Sequence, residues 1–170
     1  MNNYTKDSNW IYILNNNKTI SYPNDWNNEY FSIEENSFWF KYRNKLIKHY
    51  INKYFKRWDY FCDLWWWNGF VTKMIEENIW DNVYLLEPWY SWCINWKRRD
   101  IKNIYNWELW NNFIESFDWL WIFDVLEHIE NPIPFLKNIN SALNLQWILI
   151  ITVPAFEFLK SYEDINAWHY

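Results

Sequence analysis

The sequence predicts a doubly wound α/β domain built on a parallel sheet. Three observations carry that reading. Short apolar runs alternate with helix-period segments from about residue 37 to residue 153, glycine-loop chemistry is expected at one strand-to-helix corner, and acidic residues recur at the carboxyl ends of the apolar runs.

Residues 1 to 35 are rich in Asn, Ser and Tyr with little periodicity, and read as a loosely structured leader with room for short strands. From Ser37 the pattern changes. Leu46, Ile47, Tyr50, Ile51, Tyr54 and Phe55 recur at helical spacing with Lys45, Lys48, Lys53 and Lys56 between them, which makes an amphipathic helix. Tyr60-Phe61-Cys62-Asp63-Leu64 is a short apolar run suited to a buried parallel strand. A helix from Gly69 to Asn78 follows, burying Phe70, Val71, Met74 and Ile75. Val83 to Glu87 reads as a strand, Tyr90 to Arg99 as a helix and Asn103 to Tyr105 as a short strand. Phe117 to Asp124 is a fourth strand, Pro134 to Leu143 a helix begun by proline in its first turn, and Ile148 to Val153 a fifth strand. Strands alternating with helices imply a parallel, doubly wound sheet; 3-2-1-4-5 is one of the common orders of such a sheet and the one expected here.

Length and charge bound what such a domain does. A chain of 170 residues suits one domain. Its net charge of −5 comes with no basic run longer than Lys97-Arg98-Arg99, so nucleic acid is not an expected partner. The longest apolar run, Trp147 to Val153, falls far short of the ~20 residues of a membrane span. The start Met1-Asn2-Asn3 carries no signal-peptide pattern, and the expectation is a soluble, cytoplasmic protein without a membrane partner. Cys62 and Cys93 match no metal spacing and read as buried free thiols; no metal site is expected.

One feature of the composition is abnormal: 17 Trp stand against a single Gly. Ordinary usage would give roughly 12 glycines in this length. The tryptophans also sit where turns belong, as in Pro88-Trp89-Tyr90, Asn106-Trp107-Glu108 and Gln146-Trp147-Ile148. Abundant Asn, Ile, Lys and Tyr with scarce Ala and Arg fit an AT-rich gene. The expectation is a gene whose UGA codons specify Gly and are written here as Trp.

With that substitution the corner Asp63-Leu64-Trp65-Trp66-Trp67-Asn68-Gly69 becomes an acidic residue followed by glycines at 65, 66, 67 and 69. Such a loop lets a ligand approach the backbone and presents a helix N-terminus to a negative group. A dinucleotide fingerprint would want a small residue at 70, where the chain has Phe70. Glu87 ends the second strand at roughly the 20-residue distance at which nucleotide folds place a ribose-binding carboxylate.

The segment from Phe117 to Ile129 contains Asp124-Val125-Leu126-Glu127-His128 and resembles the fourth-strand motif of class I S-adenosylmethionine-dependent methyltransferases, in particular the group that includes ubiquinone-biosynthesis-like O-methyltransferases. Ser37-Phe38-Trp39-Phe40 with Arg43, Thr152-Val153-Pro154 and Ala167-Trp168-His169-Tyr170 extend the resemblance over roughly residues 36 to 170. Trp39 falls at a family tryptophan, whereas Trp65, Trp67, Trp107, Trp121, Trp147 and Trp168 fall at family glycines.

The resemblance implies that S-adenosyl-L-methionine is the cofactor. Asp63 and the loop at Trp65, Trp67 and Gly69 would hold its methionine part, Glu87 its ribose, Glu108 its adenine edge, and Asp124 would line the pocket near the amino group. Glu108 reads equally as an exposed loop acid. Methyl transfer from a sulfonium is in-line displacement, so catalysis is positioning plus, for some acceptors, proton removal. His128 is the candidate base inside a motif, with Glu127 beside it; a histidine there also serves as a structural hydrogen-bonding residue. The acceptor is an unidentified small molecule or glycan-related compound. The last two strands of the family fold are expected to be missing, so that residues 36 to 170 would be a C-terminally truncated core. Two rival readings are a nicotinamide-dependent oxidoreductase and a non-catalytic protein that keeps the fold.

Overall fold

The computed structural model describes residues 4–14, 34, 36–54, 59–64, 69–79, 82–106 and 113–153. Along the chain these form β1 (Tyr4–Lys6), β2 (Tyr12–Leu14), α1 (Phe38–Tyr54), β3 (Phe61–Leu64), α2 (Phe70–Ile79) and β4 (Val83–Leu86). Then follow α3 (Tyr90–Arg98), β5 (Ile104–Asn106), β6 (Phe117–Phe123), a single 3-10 turn at Leu126–His128, α4 (Pro132–Ala142) and β7 (Leu143–Thr152).

The strands make one sheet in the order β1-β2-β5-β4-β3-β6-β7. Its centre, β5-β4-β3-β6-β7, is parallel throughout and has the expected 3-2-1-4-5 order. The apolar runs form these strands because both faces of a parallel sheet are covered, so every position gains from being apolar. In β6, six of the seven residues are buried and only Asp118 is not. Burying side chains of this size contributes about 1.5–3 kcal/mol each.

Three helices cover one face. Ile47 and Ile51 of α1 and Val71 and Ile75 of α2 pack on Phe61, Val83, Trp119 and Phe123. Cys93 and Trp96 of α3 continue that layer over Leu85 and Ile104. On the other face Ile139 and Ala142 of α4 lie against Cys62, Leu64, Leu120 and Ile122. Both cysteines are buried free thiols, as expected. No helix among the described residues is long and apolar enough to cross a membrane.

The N-terminal leader and the α4–β7 junction differ from expectation. Residues 4–14 of the leader form an antiparallel hairpin whose second strand pairs in parallel with β5, through Tyr12 opposite Tyr105 and Ile13 opposite Asn106. The physical cause is local. One carboxylate oxygen of Asp7 accepts the backbone N–H groups of Asn9 and Ile11, both at 2.9 Å, which closes the turn, while Ile11 is fully buried beside α3. At the other end of the chain α4 starts at Pro132 rather than Pro134, with Asn131 as its N-cap, and β7 begins at Leu143 directly after it. The expected strand from Ile148 is the part in regular register with β6, beyond an irregularity between Phe117 and Trp119.

Trp10, in the hairpin turn, has φ 64. That left-handed backbone costs a residue with a Cβ about 1–2 kcal/mol and a glycine almost nothing. Trp10→Gly is therefore expected to be more stable than Trp10→Ala by about 1 kcal/mol, since both lose the indole and only one loses the strain. Equal urea midpoints for the two variants would remove this argument.

Candidate active site

The carboxyl ends of the parallel strands are Leu64, Leu86, Asn106, Phe123 and Thr152, and four of the expected site residues gather at or beside them. Asp63 is fully buried in β3 and accepts a hydrogen bond from the Thr72 hydroxyl of α2. Its other carboxylate oxygen has no hydrogen-bond partner among the described residues. Burial pushes this carboxyl up to about 7, against the opposing pull of the Thr72 hydrogen bond and the Arg43 charge.

Gly69 opens α2 with φ +72. A Cβ there would stand 2.6 Å from Ile101 Cδ1 and 2.9 Å from Trp96 Cδ1, so both conformation and packing demand glycine. The chain's one written glycine thus closes the loop after β3 onto α3. Trp65, Trp67 and Glu108 lie outside the described residues.

Glu87 follows β4 and is 2% exposed. Its carboxylate accepts the backbone N–H of Trp89 at 3.0 Å, and burial drives its pKa well above the ordinary value despite that bond. The surrounding turn is held from β5: the Asn106 side-chain amide donates to the backbone carbonyls of Glu87 and Pro88, each at 2.9 Å. The Cys93 thiol donates to the Glu87 carbonyl as well, at 3.8 Å.

Asp124 ends β6 with φ 49, a conformation Asp tolerates better than most residues. Its carboxylate is engaged on both oxygens. Arg43 Nη1 of α1 donates to one at 2.8 Å, and the Thr152 hydroxyl of β7 donates to the other at 2.8 Å. The Asp124 backbone N–H also donates to the Thr152 carbonyl at 3.0 Å. The Arg43 guanidinium lies over Phe40 and Phe123, with its carbon 4.8 Å and 5.8 Å from the ring centroids.

His128 sits on the 3-10 turn, not one turn into a helix, because Pro132 starts α4 afresh. Its backbone N–H closes the turn onto the Val125 carbonyl at 3.0 Å, and its side chain is half-buried. Glu127 beside it is the more unusual group. Its shielded carboxylate oxygens find no well-formed hydrogen-bond partner among the described residues, and burial raises its pKa to about 7, opposed by its own backbone N–H and reinforced by the Asp124 charge. A carboxyl poised there exchanges protons near neutrality.

Sequence reasoning missed Asn106 as a bracket for the Glu87 turn and saw Arg43 only as part of a resemblance. The available signal for Asn106 was a polar residue ending a short apolar strand, a position ordinarily left to solvent.

No family model matches the sequence, and no curated protein matches it. Solved structures do. The chain is similar to Haemonchus contortus phosphoethanolamine N-methyltransferase 2, solved with phosphomonomethylethanolamine and S-adenosylhomocysteine, at TM-score 0.66 and 17% identity, covering 87% of this chain and 39% of that one. It is similar to a Haloferax volcanii protein described as a putative methyltransferase, solved in complex with the Trm112 methyltransferase activator, at TM-score 0.62 and 12% identity, covering 78% of this chain and 62% of that one. The [4+2]-cyclase SpnF matches at TM-score 0.59 and 9% identity, covering 78% of this chain and 61% of that one. The chain thus spans less than two thirds of the length of each. It has the Rossmann-like α/β fold that these methyltransferases and the cyclase share.

Proposed function

We propose that this chain is the S-adenosylmethionine-binding core of a methyltransferase for a small-molecule or glycan-related acceptor. We also propose that most of its written tryptophans are glycines in the encoded protein. The observation that carries the first reading is that Glu87, directly after β4, and Asp63, near the end of β3, come to neighbouring carboxyl ends of paired strands, Leu86 lying opposite Leu64. A ribose and an aminoacyl tail joined through one sulfur span two such adjacent strand ends. The unpartnered oxygen of Asp63 and the nearly closed carboxylate of Glu87 suit a ligand rich in N–H and O–H donors.

When bound, S-adenosylmethionine supplies an already activated methyl group. Asp63 and Glu87 would hold it, Asp124 ties the end of β6 to β7 beside them, and Glu127 or His128 would take a proton from acceptors that must lose one.

Two observations favour glycine at written tryptophans. Trp10 has left-handed backbone, and the fully buried Trp121 has an indole N–H with no partner among the described residues. Three indoles at 65 to 67 would also fill the approach that a cofactor needs.

The test is a calorimetric titration with S-adenosylhomocysteine of the chain as written and of a variant with glycine at 65, 66, 67, 107 and 147. The glycine variant is expected to bind at micromolar concentration and the written chain at least 100-fold more weakly. Equal binding refutes the glycine reading, and failure of both to bind refutes the cofactor. Binding without methyl transfer to any amine or hydroxyl acceptor would favour a protein that, like the cyclase, uses the fold for something else.

A further inference from the structure

We propose that Asn106 is a positioning residue for the Glu87 carboxylate, and through it for the ribose hydroxyls of the ligand; this rests on the assignment of Glu87 above. The short β5 is the source of the geometry. Ile104 pairs opposite Leu85 and Tyr105 opposite Leu86, so Asn106 comes level with the residue after β4. The Glu87 N–H donates to the Tyr105 carbonyl at 2.9 Å, which is the last ladder bond between the two strands.

Beyond that bond the chain turns away from the sheet through Pro88, and the carbonyls of Glu87 and Pro88 lose any strand partner. A single buried amide takes both. Asn106 is 4% exposed and spends both N–H groups, or one shared, on these carbonyls, each at 2.9 Å. The turn so fixed is what lets the Trp89 N–H reach back to the Glu87 carboxylate at 3.0 Å. Three links in series therefore connect a side chain on β5 to the orientation of a carboxylate on the next strand.

The amide is chemically specific. Asn106→Asp is isosteric but replaces donors by a negative charge facing two carbonyl oxygens in a buried place, which repels where Asn holds. Asn106→Ser keeps one donor on a shorter stem. A residue that served packing alone would respond to volume and not to this change of polarity.

The first measurement needs no cofactor. Amide hydrogen exchange on the chain as written is expected to show the Trp89 N–H losing at least 10-fold protection in Asn106→Asp, with Asn106→Ser intermediate and the α2 amides unchanged. Unchanged Trp89 protection in a folded Asn106→Asp chain overturns the proposal. A uniform loss over α2 and α3 also overturns it, because Asn106 would then be holding the whole fold.

The second measurement uses the glycine variant and two ligands, S-adenosylhomocysteine and its 2′,3′-dideoxy analogue. Asn106→Asp is expected to weaken the first about 10-fold and the second less than twofold. Equal weakening of both overturns the positioning role. If the glycine variant without any change at 106 binds both ligands equally well, the assignment of Glu87 to ribose has failed, whereas the exchange result stands independently.

Discussion

Stability of this chain is expected to fall as pH rises from about 4 to about 7, with Asp63 as a principal cause. Its carboxyl titrates near the ordinary Asp value of 3.8 in the unfolded chain and is pushed up to about 7 by burial in the folded one. Below both values it is protonated in both states and costs nothing. Between them the folded chain keeps a proton that the unfolded chain has released, so each step up in pH favours unfolding; above about 7 the penalty is constant. The separation of roughly 3 units corresponds to roughly 4 kcal/mol, large against the 5–15 kcal/mol of a typical domain. Glu127 is raised to about 7 by burial, and burial also raises Glu87 well above its ordinary value, so they act in the same direction. Asp63→Asn keeps an acceptor for the Thr72 hydroxyl and removes the titration. Its urea midpoint is expected to exceed the parent's at pH 8 and to match it at pH 4. A parent stability that is flat over this range, or an Asp63→Asn chain less stable at pH 8, would show that the buried carboxylate has found a compensating donor.

Breaking the Arg43–Asp124 pair is expected to be among the more damaging changes outside the apolar core. Arg43 is 5% exposed, its positive charge is drawn below its ordinary pKa by burial, and the nearby Asp124, Glu34 and Asp63 charges offset that desolvation. Removing Asp124 leaves much of that charge uncompensated. Because the Asp124 side chain is a third exposed, Asp124→Ala is expected to cost about 2–3 kcal/mol, less than for a fully buried pair, to which the strain of alanine at φ 49 adds about 1 kcal/mol. Asp124→Asn, which tolerates the backbone and keeps an acceptor for Arg43 and Thr152, should cost about half as much. Arg43→Met keeps the packing over Phe40 and Phe123 while deleting the charge. The double variant Arg43→Met with Asp124→Asn is expected to cost less than the sum of its parts by at least 1 kcal/mol. Strict additivity in denaturant titrations would mean that the two groups contribute separately and that α1 is held by its apolar face alone.

The parts of the fold that the sequence made legible are those where burial is continuous. Tyr60 to Leu64 and Phe117 to Phe123 stand out because a parallel strand is apolar on both sides, and the central strands take the order expected of a doubly wound sheet. The hairpin at residues 4–14 did not stand out. Its strands are three residues each, and its position depends on partners far along the chain: β5, and Tyr90, whose hydroxyl donates to Asp7 and accepts from the Asn9 amide at 2.9 Å. The candidate site divides in the same way. Glu87 and Gly69 were readable because spacing from a loop is a local property. Asp124 was readable as the acidic residue after an apolar strand, yet its tie to Arg43, 81 residues away, exists only once the sheet has formed. Asn106 was read past because a polar residue at a strand end ordinarily faces water, and only the short β5 turns it inward.

The last strand carries a consequence for the behaviour of the chain at high concentration. β7 is outermost in the sheet among the described residues, runs for 10 residues, and contains neither a proline nor a charge. Leu145, Trp147 and Ile151 on it are exposed. The opposite border, β1, is only three residues long and ends in Lys6, a combination that discourages pairing. The molecule is thus polar in the sense of a ratchet. Among the described residues one margin is blunted, whereas β7 presents the longer and more apolar edge, so extension of the sheet by a further strand is favoured there.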